Sequence, residues 1–245
     1  MFRTVLFDCD TTLSAMEGID ELAREYRDQI VPLTEAAMRG EVPLESVYAR
    51  RLAIIKPTRG EIERIGRMYV ERLVPGTRET VDGLHRAGVD VHIISGGLRP
   101  AVLYVADALG IAHDKVHAVD LSFDEAGHYA GFDEGSPLTR DGGKPAVIQA
   151  LGALALPVML VGDGNTDLDA KPIVDCFVGF AGVVARPRVV AEAHVVVHAN
   201  SLLPVLALAL GDDGAAQHPE LLSLLDAGRA LLAASVHLPP DRAAS

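Results

Sequence analysis

The chain has little of what would mark a cross-linked scaffold or a protein that works on a charged polymer. Its two cysteines, Cys9 and Cys176, give neither a disulfide framework nor a metal-binding spacing. Cys9 reads as a small apolar filler turned away from the acids beside it. No basic run interrupts an acidic composition: 22 Lys and Arg stand against 34 Asp and Glu, a formal charge of −12. Nucleic-acid binding rests on neutralising phosphates, so this charge argues against it. The apolar run "LLPVLALAL" (202–210) is too short to span a bilayer. No charged-then-apolar leader pattern precedes the first strand, and there is no repeat or low-complexity segment. The expectation is a soluble cytoplasmic protein, monomer or homodimer, that acts on a small molecule rather than on nucleic acid or a membrane.

What is present is a chain of 245 residues, 49% hydrophobic, enough for a substantial core. Short apolar runs recur with helical stretches between them. "TVLFD" (4–8), "VDVHIIS" (89–95), "PVMLVGD" (157–163), "CFVGF" (176–180) and "HVVVH" (194–198) read as buried strands, rich in Val and Ile and without clean alternation. Residues 77–88, 100–110 and 144–155 read as helices. Strands alternating with helices predict an α/β fold, a Rossmann-like parallel sheet with helices on both faces. Residues 122–132 read instead as a β-hairpin turning at Ala126-Gly127.

One stretch breaks the alternation. Residues 15–74 carry only helical patterns and sit directly after the first strand. Ligands of wound α/β folds bind beyond the carboxyl ends of the strands, so this insert is placed to cover the site. The expected division is a core of residues 1–14 and 75–211, a helical cap of 15–74, and a C-terminal extension of 212–245. In the extension, "DDGAAQHP" reads as loop, and Leu221, Leu224, Leu225, Leu231 and Leu232 form a helical apolar stripe. Packing of that stripe on its own domain is favoured over a dimer contact.

The chemistry gathers at strand ends. Asp8 and Asp10 follow the first strand, Ser95 the second, and Asp163 with Asp167 the run "VMLV". In a parallel sheet these ends share one edge. Carboxylates as close as Asp8, Asp10 and Asp163 must protonate or hold a cation, and hard oxygen ligands suit Mg²⁺. Neither "DCDTTL" nor "DGNTDLD" has the glycine an EF-hand needs, and "DGGKPA" lacks the rest of a Walker loop. "GDGNTD" begins like a dinucleotide fingerprint but has Asp167 where a small residue belongs. A metal-bound carboxylate at an anion-binding edge points to phosphoryl transfer. An aspartate serves as nucleophile, and the second acid protonates the leaving group and later deprotonates water. Ser95 with the Gly96 and Gly97 amides supplies donors, and the Lys144 ammonium reaches a phosphate oxygen.

Taken together, "DCDTT", Ser95, Lys144 and "GDGNTD" resemble, in order, the four motifs of the haloacid dehalogenase superfamily of aspartyl-phosphate phosphatases. The helical insert is similar to that superfamily's type 1 cap. "EGIDELA" (17–23), "RLAIIKP" (51–57), "ISGG" (94–97), "YAGFDE" (129–134) and "GDGNTDLDAKPIVDCFVGFAG" (162–182) extend the likeness to the phosphoserine phosphatase family, in its eukaryotic-type form. The resemblance implies Asp8 as nucleophile and Asp10 as acid and base. It implies Mg²⁺ on Asp8, Asp163 and the backbone carbonyl of Asp10, and phosphate on Ser95, Gly96 and Lys144. Asp167 would orient Lys144 or metal-bound water. Glu17 and Arg51 match positions that take the substrate's ammonium and carboxylate, and Met38, Gly97 and Thr166 match further pocket positions. Leu44 and Arg39 depart from the family's common residues at this pocket.

The leading expectation is therefore a Mg²⁺-dependent phosphatase of O-phosphoserine, ending serine biosynthesis. The same chemistry on another small phosphomonoester, or phosphotransfer to another alcohol, stands beside it. A non-catalytic ligand-binding or regulatory protein on this fold is the alternative of another class; retention of both Asp8 and Asp10 argues against it.

Overall fold

The computed structural model describes residues 1–38 and 44–235. The chain opens with strand β1 (Thr4–Phe7), then runs through four helices, α1 (Gly18–Leu22), α2 (Arg27–Met38), α3 (Leu44–Ile55) and α4 (Arg59–Glu71). It continues with α5 (Thr77–Arg86), β2 (Asp90–Leu98), α6 (Arg99–Leu109), β3 (Val116–Val119), β4 (Leu121–Phe123), β5 (Tyr129–Phe132) and α7 (Gly143–Ala150). The last part holds β6 (Val158–Gly162), α8 (Asn165–Leu168), β7 (Cys176–Phe180), α9 (Pro187–Glu192), β8 (Val195–Val197), α10 (Leu203–Gln217) and α11 (Leu222–Ser235).

Six strands form one sheet in the order β3-β2-β1-β6-β7-β8, and every pairing in it is parallel. The strand runs lack alternation because both faces are covered. Val5, Phe7, Val91, Ile93, Met159 and Val161 belong to one apolar cluster, packed with residues of α4, α5, α6 and α10. Leu6, Ile94, Leu160 and Phe177 belong to the other, with Ile148 of α7, Leu168 of α8 and Val189 of α9. Cys9 is fully buried in the first cluster, as expected of a filler. The central position of β1 places Asp8 and Asp10 at the middle of the carboxyl edge, between the ends of β2 and β6.

The helical insert is held to the rest at several points. A capping box starts α4: the Glu61 amide donates to Thr58 Oγ1, and the Thr58 amide donates to Glu61 Oε2. The β4–β5 hairpin lies against α3 and α4, with the Arg59 guanidinium 5.3 Å from the centroid of Phe123 and the Tyr48 and Phe132 rings 5.5 Å apart.

Three expectations need correction. "DDGAAQHP" is not a loop: α10 runs on to Gln217, interrupted only at Gly211, whose φ of 60° makes the kink. The second strand, read as 89–95, does not end at Ser95; β2 reaches Leu98, and its ladder with β3 is irregular between Ile94 and Leu98. The helix read over 144–155 ends at Ala150. The Leu stripe packs on its own chain, with Leu221 and Leu225 fully buried and Leu224 and Leu232 against the same cluster. Among the described residues, no helix is long and apolar enough to cross a membrane.

Candidate active site

Parallel strands with ends in register bring separate sequence segments to one place. A cavity of about 250 Å³ opens there. Asp8, Asp10, Glu17, Arg51, Ser95, Gly96, Gly97, Lys144, Asp163 and Thr166 all line it, ten of the residues the sequence singles out. A larger cavity of about 720 Å³ lies beside it among α1 and α2, sharing Glu17, Asp20 and Arg51. It contains none of the strand-end acids and neither Ser95 nor Lys144, so the chemistry belongs to the smaller one.

Lys144 organises the acids. Its side chain is buried, with Nζ 2.9 Å from Asp8 Oδ1 and 2.5 Å from Asp167 Oδ1. Burial opposes its charge, but Asp167 and Asp8 outweigh burial and hold the ammonium above the usual lysine range. Asp167 does not line the cavity; it stands fully buried behind Lys144, its other oxygen taking the Gly164 amide at 2.9 Å. Asp8 Oδ1 also accepts the Cys9 amide at 2.8 Å. Asp163 accepts from Thr12 Oγ1 at 3.3 Å and from Arg186 Nε at 2.9 Å, and burial, then the Asp8 charge, pushes its carboxyl up.

Asp10 has different neighbours. Its Oδ1 accepts the Tyr69 hydroxyl at 2.5 Å and the Gly18 amide at 2.7 Å, and its Oδ2 accepts Ser95 Oγ at 3.3 Å. Burial, then the charge of Asp8, raises this carboxyl to about 6 against the pull of those donors. The Gly97 amide donates to Ser95 Oγ at 3.0 Å, fixing the hydroxyl at the irregular end of β2.

Glu17, beside the start of α1, accepts from Arg186 at 3.2 Å. Burial, then the charges of Asp10 and Asp8, pushes its carboxyl up to about 8. Arg51, from α3, faces the cavity and pairs through one terminal nitrogen with Asp20 of α1. Its Nε is buried without a hydrogen-bond partner among the described residues. Arg39 lies outside the described residues, as do the side chains of Met38 and Leu44.

Asp8, Asp163 and Asp167 each present a carboxylate oxygen within 4.8 Å of the others, all buried. Five carboxylates line the cavity (Asp8, Asp10, Glu17, Asp20 and Asp163) against three cations (Lys144, Arg51 and Arg186). Such a site disfavours an incoming anion unless a further cation enters, so the donor set fits a hard divalent ion. The side chain of Asp10 is turned away from this cluster, toward Tyr69 and Ser95.

Sequence reasoning missed four residues at the site. Arg186 bridges Asp163 and Glu17 from the segment after β7; a charged residue beyond the carboxyl end of a strand is the signal that points to it. Asp20 holds Arg51. The Tyr48 hydroxyl donates to the Gly96 carbonyl at 3.0 Å, tying α3 to the Ser95 segment. Tyr69 is buried on α4 and is also a polar contact to Asp10.

The haloacid dehalogenase-like hydrolase family matches residues 5–170. The phosphoserine phosphatase of Bos taurus is 42% identical over 189 residues, covering 76% of this chain and 84% of that protein. The chloroplastic phosphoserine phosphatase of Arabidopsis thaliana is 39% identical over 197 residues, covering 78% of this chain and 67% of that one. Among solved structures, a phospho-aspartyl intermediate analogue of phosphoserine phosphatase superposes with a TM-score of 0.67 at 25% identity, over 84% of this chain and 98% of that one. A strand-end acid cluster on a six-stranded parallel sheet and a family match over two thirds of the length agree: the chain belongs to the haloacid dehalogenase-like hydrolases, with phosphoserine phosphatases as its relatives.

Proposed function

We propose that this enzyme hydrolyses O-phosphoserine to serine and phosphate through an aspartyl-phosphate on Asp8, with Mg²⁺ as cofactor. One observation carries the reading. Two acids two residues apart have opposite surroundings: Asp8 faces Lys144 and the metal-type cluster, whereas Asp10 faces hydroxyl and amide donors. A nucleophile and a proton carrier need that difference.

Asp8, Asp163 and the backbone carbonyl of Asp10 would hold Mg²⁺. When bound, the ion supplies positive charge that offsets the carboxylates against an incoming phosphate. Lys144, Ser95 and the Gly96 amide cradle the phosphate oxygens. An Asp8 carboxylate oxygen attacks phosphorus, the bond from phosphorus to the serine oxygen breaks, and that oxygen keeps the electron pair and takes a proton from Asp10. Water then attacks the aspartyl-phosphate as Asp10 accepts its proton, which frees phosphate and restores Asp8. A proton carrier near 6 suits both directions at neutral pH. Asp167 keeps Lys144 in place.

Residues 15–74 act as a cap over a core of 1–14 and 75–211, and 212–245 form an extension whose described part, through α11, packs on that core. Glu17 and Arg51 of the cap take the ammonium and carboxylate of the substrate, with Met38, Gly97 and Thr166 completing the pocket. A small, charged substrate of amino-acid biosynthesis fits a cytoplasmic setting.

The test is phosphate release from O-phosphoserine before and after chelation. EDTA is expected to lower the rate by more than tenfold and added Mg²⁺ to restore it, with Ca²⁺ a poor substitute because its looser coordination misplaces the nucleophile. Full activity after exhaustive chelation would refute the metal site.

A further inference from the structure

The Asp10 carboxyl is held asymmetrically. Oδ1 receives two strong donors, the Tyr69 hydroxyl at 2.5 Å and the Gly18 amide at 2.7 Å. Among the described residues Oδ2 receives only Ser95 Oγ at 3.3 Å, and it lies where a methyl on Gly97 would come within 2.8 Å of it, against the segment that cradles phosphate. Tyr69 is 1% exposed and sits on the apolar stripe of α4 with Ile62 and Ile65. Its hydroxyl fits because residue 18 is glycine: a Cβ there would stand 2.1 Å from the phenol oxygen. The Tyr69 carbonyl accepts from Ser14 Oγ at 2.9 Å, which ties α4 to the segment after β1.

We propose that Tyr69 is a positioning residue for Asp10: with the Gly18 amide it occupies Oδ1 and turns Oδ2 toward the substrate as the oxygen that exchanges the proton. The proposal rests on the reading of Asp10 as general acid and base. The terminal torsion of an aspartate is broad and nearly two-fold, so an unanchored carboxyl samples many orientations. A hydroxyl donated to a carboxylate is among the stronger and more directional anchors available. In the first step the bond from Asp8 to phosphorus forms, the bond to the serine oxygen breaks with its electron pair, and the proton on Asp10 Oδ2 moves to that oxygen. A serine alkoxide needs that proton; p-nitrophenolate hardly does. Misplacing Oδ2 therefore slows the first leaving group and spares the second.

The test measures single-turnover phosphorylation of the full chain with Mg²⁺, using O-phosphoserine and p-nitrophenyl phosphate on three variants. Tyr69→Phe keeps the ring and removes only the hydroxyl; urea unfolding confirms that it folds. It is expected to slow phosphorylation by phosphoserine about 10- to 100-fold and by p-nitrophenyl phosphate less than about threefold. Ser14→Ala loosens α4 but keeps the Tyr69 hydroxyl, and should affect both substrates by one common factor. Asp10→Asn tests the underlying reading and should discriminate more strongly than Tyr69→Phe. If Asp10→Asn discriminates and Tyr69→Phe slows both substrates equally, or neither, Tyr69 is a packing residue and the proposal is overturned alone. If Asp10→Asn also fails to discriminate, the acid role falls and the proposal falls with it.

Discussion

Asp8→Asn is expected to lower turnover by about a thousandfold or more while the protein still folds, the scale seen when a covalent nucleophile is removed. An amide cannot form the acyl-phosphate. It is nearly isosteric, and its oxygen accepts the Cys9 amide and the Lys144 ammonium as Asp8 Oδ1 does, at 2.8 and 2.9 Å. Lys144 also keeps its shorter bond to Asp167. The substitution removes one negative charge from three clustered carboxylates, so stability without metal should hold or rise. Steady-state hydrolysis together with urea unfolding in EDTA checks both halves. Turnover within tenfold of wild type would sink the assignment of Asp8.

The second large effect is selective. If the Arg51 guanidinium takes the carboxylate of phosphoserine, Arg51→Ala should lower kcat/KM for that substrate and leave phosphoethanolamine and p-nitrophenyl phosphate nearly unchanged. Truncating one partner of a buried charge pair costs about 2–5 kcal/mol. At roughly 1.4 kcal/mol per tenfold, that is about 30- to 4,000-fold. The geometry leaves room for the substrate: Arg51 meets Asp20 through one nitrogen, and its buried Nε has no hydrogen-bond partner among the described residues. Alanine is a good helix former, so α3 should survive. Glu17→Gln should weaken phosphoserine and phosphoethanolamine together, because both carry the ammonium. Equal slowing of all three substrates by Arg51→Ala would make Arg51 structural or catalytic and remove the cap's support for a carboxylate-bearing substrate.

The parts of this protein that were legible in the sequence are those with a local signature. Buried parallel strands announce themselves as continuous Val- and Ile-rich runs, and five of the six strands of the sheet are placed that way. The sixth, β3, reads Val-His-Ala-Val, its valines separated by His117 and Ala118, so it does not stand out as a Val- or Ile-rich run. Gly211 misleads: a glycine followed by Asp-Asp and later by Gln-His-Pro reads as loop, yet helix resumes beyond one left-handed residue. The apolar stripe of Leu221 and Leu225 is independent of that turn chemistry, and its packing was readable.

The site divides in the same way. Asp8, Asp10 and Asp163 follow strand ends, Ser95 stands in the irregular last part of β2 and Lys144 opens a helix, so the sheet rule alone brings them to one edge. Glu17, Arg51 and Thr166 required the family resemblance, because a helix charge carries no mark of what it faces. Tyr69, Asp20, Tyr48 and Arg186 act through a direction in space: a hydroxyl under Asp10, a carboxylate on Arg51, a hydroxyl on the Gly96 carbonyl, a guanidinium across Asp163 and Glu17. Helical periodicity gives the face of Tyr69 but not where its oxygen ends. That oxygen depends on Gly18, 51 positions earlier in the chain, having no side chain to occupy the same space.

The most direct measurement of the central claim is kcat/KM for phosphate release by the wild-type chain with Mg²⁺, for O-phosphoserine, phosphoethanolamine and p-nitrophenyl phosphate side by side. The account expects O-phosphoserine to lead both others by at least about tenfold, the smallest advantage that one well-placed charge contact to its carboxylate should confer. Equal values for phosphoserine and phosphoethanolamine, or a higher value for p-nitrophenyl phosphate, would contradict it.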